Sequence, residues 1–194
     1  MSCFISGTLI TTKQGDVPVE NLKPGQMVLT RDHGFQPVRC VGVKQMTSRF
    51  LLDNPHLRPV LVRKGAFGRN LPLRDMMLSP NTRLPYHNDD RRLLSGASEE
   101  MIAIKHLVDH DGILAVDTIG VDFVHVMFDQ HQILAANGVW TEAFNPRDYS
   151  LKNVGNAQRN EVLEVFPSLR RGFDRIEART TQRRVVRRGF IGRL

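Results

Sequence analysis

The chain has 194 residues, with 27 lysines and arginines against 20 aspartates and glutamates, and is long enough to build a hydrophobic core without disulfide bonds. Its two cysteines exclude a disulfide framework and a zinc quartet, and no apolar run approaches the ~18 residues of a membrane span. The N-terminus lacks the basic region and apolar segment of a signal peptide. We therefore expect a cytoplasmic protein, unless the chain is a piece of a longer secreted precursor.

Short apolar runs separated by Gly, Pro, Asn and Asp follow one another from Cys3 to about Pro146, which predicts an all-β domain. These apolar runs lie at residues 8–11, 27–30, 38–43, 59–63, 101–107, 123–128 and 132–135. Residues 47–55 and the polar stretch 86–98 are predicted to be loops. Asn137-Gly138 is a strong hairpin-turn signal.

The positive charge lies at the C-terminal end of the chain. Residues 1–150 contain 16 basic and 16 acidic side chains, whereas residues 151–194 contain 11 and 4, which is the whole net charge of +7. We therefore predict a domain at 1–150 and a basic, partly helical extension at 151–194, in which Asn160 caps a short helix that Pro167 ends.

The basic extension has three interpretations. It can be a solvated surface segment, an arm for another protein, or a charge-driven binder of nucleic acid or acidic lipid. Its aromatic residues are sparse and offer no stacking platform, so the sequence favours the solvated segment over nucleic acid.

Four segments, in this order and spacing, are similar to motifs of one superfamily. They are CFISGTLI at 3–10, GAFG and PLRDMMLSP within 65–80, FVHVMFDQH at 123–131 and TEAFNP at 141–146. Together they resemble the Hint domains, the self-processing domains shared by inteins and Hedgehog proteins, and in particular a bacterial subfamily. The resemblance implies the Hint fold, a horseshoe of twisted antiparallel strands, over residues 3–146.

The resemblance also implies a reaction. In the family an N-terminal cysteine attacks the preceding carbonyl, which converts the amide to a thioester, and a second nucleophile then releases the upstream segment. Such an N-to-S shift needs a thiolate, an acid that protonates the leaving nitrogen, and donors for the oxyanion. The substrate would be the protein's own upstream polypeptide and the acyl acceptor water or a small nucleophile, with no metal or other cofactor.

The family's roles carry over to three residues and fail at a fourth. Cys3 matches the nucleophile, and Asp129 and His131 match the late Asp and His of the family. In the family, the motif that matches residues 65–80 usually ends in a histidine two residues after its proline, and that histidine assists the scissile amide. Thr82 occupies that position here. A threonine can donate a hydrogen bond but cannot carry a proton near neutral pH.

The end of the domain also departs from inteins. The His-Asn pair with which inteins end falls here on Glu142 and Ala143, so no intein-type C-terminal cleavage is expected. With Thr82 in place of the motif histidine, a second hypothesis is a Hint scaffold that no longer cleaves and serves as a binding or assembly module.

Two further residues have structural interpretations. Cys40 is predicted to be a buried core thiol, because an unoxidised cysteine packs as a small hydrophobe. His125 alternates with Phe123 and Met127 on one strand face, which favours a packed core histidine over a site residue.

Overall fold

A computed structural model describes residues 2–86 and 100–143 of the chain. All of these belong to the first of the two units into which the chain divides, Met1–Asp148. Regular structure in the described residues is almost entirely β, which confirms the predicted all-β class. The predicted extension at 151–194 and most of the polar stretch 86–98 lie outside the described residues and stay predictions.

Fourteen strands, one α-helix and three short 3-10 helices are described. The strands are β1 (Phe4–Ile5), β2 (Leu9–Thr12), β3 (Gly15–Pro18), β4 (Met27–Thr30), β5 (Gly34–Pro37), β6 (Cys40–Thr47), β7 (Val60–Val62), β8 (Met76–Leu78), β9 (Arg83–Tyr86), β10 (Glu100–Ala103), β11 (Ile113–Ala115), β12 (Gly120–Met127), β13 (Ile133–Ala136) and β14 (Val139–Glu142). The helix α1 is Ser48–Asp53, and the 3-10 helices are Val19–Asn21, Pro55–Leu57 and Ile104–Leu107. Each of the seven predicted runs overlaps one of these strands.

The strands form two large antiparallel sheets and one small one. The first sheet has the order β11-β7-β8-β1-β12-β6, and the second has the order β14-β13-β2-β4-β5 with β3 paired to β2. The small sheet pairs β9 with β10. In the first sheet Phe4 pairs with Val124 of β12 and with Leu78 of β8. The N-terminal strand therefore lies between the motif within residues 65–80 and the motif at 123–131.

The apolar pattern of the strands explains the core. The longest buried runs belong to β12 and β13, which lie inside their sheets rather than at an edge. The hairpin from β13 to β14 turns at Asn137 and Gly138, whose φ angles of 48° and 81° confirm the predicted turn. This hairpin carries Glu142 back toward the N-terminal strand.

Two expectations about local structure are wrong. Residues 47–55, predicted as a loop, contain α1, because Thr47 caps its first turn by accepting a hydrogen bond from Phe50 N at 3.2 Å and Leu51 is buried. Cys40, predicted to be buried, is only half-buried at the start of β6. Among the described residues, no helix is long and apolar enough to cross a membrane.

Candidate active site

Cys3 lies directly before β1 and is 2% exposed. Its side chain belongs to a small apolar cluster with Ile5, Met46, Leu51 and Phe123. Strand β1 pairs with β8 on one side and with β12 on the other. The backbone of Cys3 is therefore held next to the motif within residues 65–80 and the motif at 123–131. The predicted nucleophile is thus a buried thiol at the centre of the first sheet.

Thr82 lies against both backbone polar atoms of Cys3. Its Oγ1 accepts from Cys3 N at 3.2 Å and donates to Cys3 O at 2.8 Å. Ser79 Oγ lies 3.0 Å from the same hydroxyl. A hydroxyl has one proton, and since Thr82 gives its proton to Cys3 O, Ser79 must be the donor to Thr82. Thr82, which occupies the position of the motif histidine, therefore contacts the amide nitrogen of Cys3.

His125 contacts the other end of that peptide. The ring is almost fully buried on β12, as predicted for a core histidine, and it forms a hydrogen bond with the backbone of Ser2. That bond raises the pKa of His125, which means that the ring donates and the backbone of Ser2 accepts. The acceptor is therefore the carbonyl oxygen of Ser2. Burial is the larger effect and lowers the pKa of His125 to about 4, so the ring is neutral near pH 7.

Glu142 is a buried carboxylate beside Ser2, and its role was not predicted. Oε2 accepts from Ser2 Oγ at 2.7 Å, and Oε1 lies 3.1 Å from His131 Nε2 and 3.9 Å from the guanidinium of Arg83. Burial opposes the charge of Glu142, but hydrogen bonds from His131 and Ser2 and the charge of Arg83 keep its pKa below the usual value. The carboxylate links the half-exposed His131 to the residue before Cys3.

Asp129 is joined to a different partner. Its carboxylate accepts from Arg39 Nε at 2.6 Å, and both side chains are more than half exposed. The hydrogen bond with Arg39 lowers the pKa of Asp129. The structure thus brings Cys3 and Thr82 into contact and connects His131 to them through Glu142 and Ser2. The roles of Asp129 and His131 in a reaction stay predictions.

The buried neutral His125 should make stability depend on pH. Its pKa is about 4 in the fold against a usual 6.5, so between these values the unfolded chain binds the extra proton. We expect the His125 contribution to be complete above pH 6.5 and to fall by up to about 3 kcal/mol as the pH drops to 4. Urea unfolding at about pH 7 and about pH 4.5 measures this loss. In His125→Phe the free energy of unfolding should fall less between these two pH values than in the parent. Equal losses in both proteins would contradict the assignment.

A model of the Hint domain family matches residues 2–148. The chain belongs to the Hint domain family. The match confirms the family and the fold indicated by the four motifs, and the chain is accordingly a domain of the autoprocessing and splicing type. Within residues 2–86 and 100–143, no three His, Cys, Asp or Glu side chains come together in a way that could hold a metal ion.

Solved structures similar to this Hint domain include inteins. The gp41-1 intein is 15% identical, with a TM-score of 0.42, and the match covers 73% of this chain and 98% of that one. A DnaB intein from Synechocystis sp. PCC 6803 is 12% identical, with a TM-score of 0.46 and coverages of 75% and 100%. A bacterial intein-like domain from Clostridium thermocellum is 14% identical, with a TM-score of 0.45 and coverages of 74% and 99%. No curated protein matches the chain.

Proposed function

We propose that this Hint domain cleaves its own chain at the Ser2–Cys3 peptide bond by an N-to-S acyl shift. One observation carries the proposal: buried side chains hold both polar atoms of that peptide. His125 binds the carbonyl oxygen of Ser2, and Thr82 Oγ1 accepts from the amide nitrogen of Cys3. A peptide held at both ends next to its own thiol has the orientation that an intramolecular reaction needs.

The reaction has two stages. The sulfur of Cys3 attacks the carbonyl carbon of Ser2, and His125 donates to the oxygen on which negative charge develops. The C–N bond then breaks, the nitrogen of Cys3 takes up the proton that the thiol gave up, and a thioester remains. Water or a small thiol attacks this thioester, which releases the upstream segment and restores the thiol of Cys3. In this proposal His131 and Asp129 assist these proton transfers.

Thr82 makes the departure of the nitrogen slow. Its hydroxyl already donates to Cys3 O, so it accepts from the scissile nitrogen without offering that atom a proton. The reaction should end with the N-terminal cleavage, because Ala143 stands where an intein has the asparagine whose side chain cyclises.

A fusion with a small reporter domain before residue 1 tests the proposal. We expect dithiothreitol to release the reporter from the parent fusion, as followed by intact-mass analysis. Cys40→Ala, which removes the other cysteine of the chain, should leave the release unchanged, and Cys3→Ala should abolish it. Release that survives Cys3→Ala would rule out the acyl shift.

The second candidate is a Hint scaffold that binds without cleaving, and the observation in its favour is Thr82 in place of a proton carrier. Folded parent fusion that releases no reporter over days, with or without dithiothreitol, would favour this candidate over autoprocessing.

A further inference from the structure

We propose that Glu142 selects the residue before the nucleophile, so that the domain processes upstream segments whose last side chain carries a hydroxyl group. The inference rests on the proposed function and adds to it a specificity site at position 2. In the described part of the chain, that site consists of the carboxylate of Glu142 and the two side chains that fix it.

The contact between Ser2 and Glu142 is short and sheltered. Ser2 Oγ donates to Oε2 at 2.7 Å, and the side chain of Glu142 is 7% exposed. A hydrogen bond to a charged, buried acceptor is among the stronger ones in proteins. The carboxylate therefore needs a donor at this position, and the side chain of residue 2 supplies it.

The carboxylate is also held in place from its other side. Oε1 lies 3.1 Å from His131 Nε2 and 3.9 Å from Arg83 Nη1, and the backbone of Glu142 pairs with Ile133 at the end of the β13–β14 hairpin. With Oε1 occupied in this way, Oε2 is directed at Ser2. A fixed acceptor discriminates between side chains better than a mobile one.

The chemistry of the acceptor determines which side chains fit. Serine and threonine offer a hydroxyl donor, whereas alanine would leave a buried charged oxygen without that donor. Aspartate or glutamate at position 2 would place a second negative charge beside Glu142. A site built around a hydroxyl typically rejects an analogue that lacks it more strongly than an apolar pocket rejects an added group.

The same contact serves the reaction itself. Ser2 is held by its side chain through Glu142 and by its carbonyl through His125, so losing the hydroxyl loosens the scissile peptide. After the acyl shift Ser2 is the acyl group of the thioester, and Glu142 continues to hold it. His131, 40% exposed, contacts the other carboxylate oxygen of Glu142.

Release rates of reporter fusions test the selection. We expect Ser2→Ala to slow dithiothreitol-dependent release by about 10-fold or more, and Ser2→Thr to keep a rate close to that of the parent. Glu142→Met keeps the length of the side chain but removes the acceptor. In this background Ser2→Ala should slow release little further. Equal effects of Ser2→Ala with and without Glu142 would overturn the inference, as would a parent-like rate for Ser2→Ala.

A titration that needs no cleavage provides the second test. The hydrogen bond from Ser2 helps to lower the pKa of Glu142, so Ser2→Ala should raise that pKa, as measured by carboxyl ¹³C NMR in the uncleavable Cys3→Ala protein. The matched control is Thr11→Ala, which removes another hydroxyl-to-carboxylate hydrogen bond, to Asp16 at an exposed turn, and should leave the titration unchanged.

The two tests separate the possible failures. A titration that does not move in Ser2→Ala overturns the contact on which the selection depends. Release that occurs equally from every position-2 variant overturns the selection and leaves the proposed function intact. No release from any fusion overturns both.

Discussion

Replacing Thr82 with histidine is expected to accelerate thiol-dependent release by about 100-fold or more, because a positioned acid–base group typically contributes ~10²–10⁴ in rate. Thr82 Oγ1 already accepts from the nitrogen that must leave, at 3.2 Å. An imidazole at this position can pass a proton to that nitrogen while the C–N bond breaks, which a hydroxyl that already donates its proton to Cys3 O cannot do.

The control for this substitution is Thr82→Gln, which adds a polar side chain of comparable length that does not titrate. Thr82 is fully buried, so both larger side chains should lower the free energy of unfolding, by about 1–3 kcal/mol. Urea unfolding of both variants establishes that they are folded before their rates are compared. If both variants are folded and release the reporter at the same rate, the absence of a proton carrier at position 82 does not limit the reaction.

Replacing His125 with phenylalanine is expected to slow release by about 10²–10³-fold, the usual effect of removing one oxyanion donor. The ring of His125 donates to the carbonyl oxygen of Ser2, and its pKa of about 4 keeps it a neutral donor at the pH of the assay. Phenylalanine retains an aromatic ring in the buried space and removes only the polar atoms. The loss should therefore lie in the rate of the acyl shift rather than in folding.

His125→Gln is the companion variant, because its amide can still donate toward Ser2. We expect its release rate to lie between those of the parent and His125→Phe, as measured by the mass-based reporter assay at a fixed dithiothreitol concentration. A parent-like rate in folded His125→Phe would remove His125 from the mechanism.

Local sequence patterns predicted a large part of the fold. The predicted strand runs and the Asn137-Gly138 turn follow from alternation and turn chemistry within a few residues. The motif that ends at Thr82 likewise indicated the residue that contacts the amide of Cys3. The helix α1 was missed because its six residues are too few to show a clear helical period.

The parts of the site that were missed depend on pairing between distant strands. His125 reaches Ser2 because β12 pairs with β1, and nothing in the residues around His125 specifies that register. Glu142 meets Ser2 across 140 positions of sequence. A sequence pattern located Glu142 only as the position where an intein carries a histidine, so its contact with Ser2 became visible only in three dimensions.

The central claim is that Cys3 carries the upstream segment as a thioester, and hydroxylamine tests it most directly. Treating the reporter fusion with hydroxylamine and measuring intact masses identifies both the bond that breaks and the group that was attached. We expect a released segment that ends at Ser2 as a hydroxamate, formed by the parent and absent from Cys3→Ala. A segment that ends elsewhere, or a hydroxamate that forms equally in Cys3→Ala, would contradict the acyl shift.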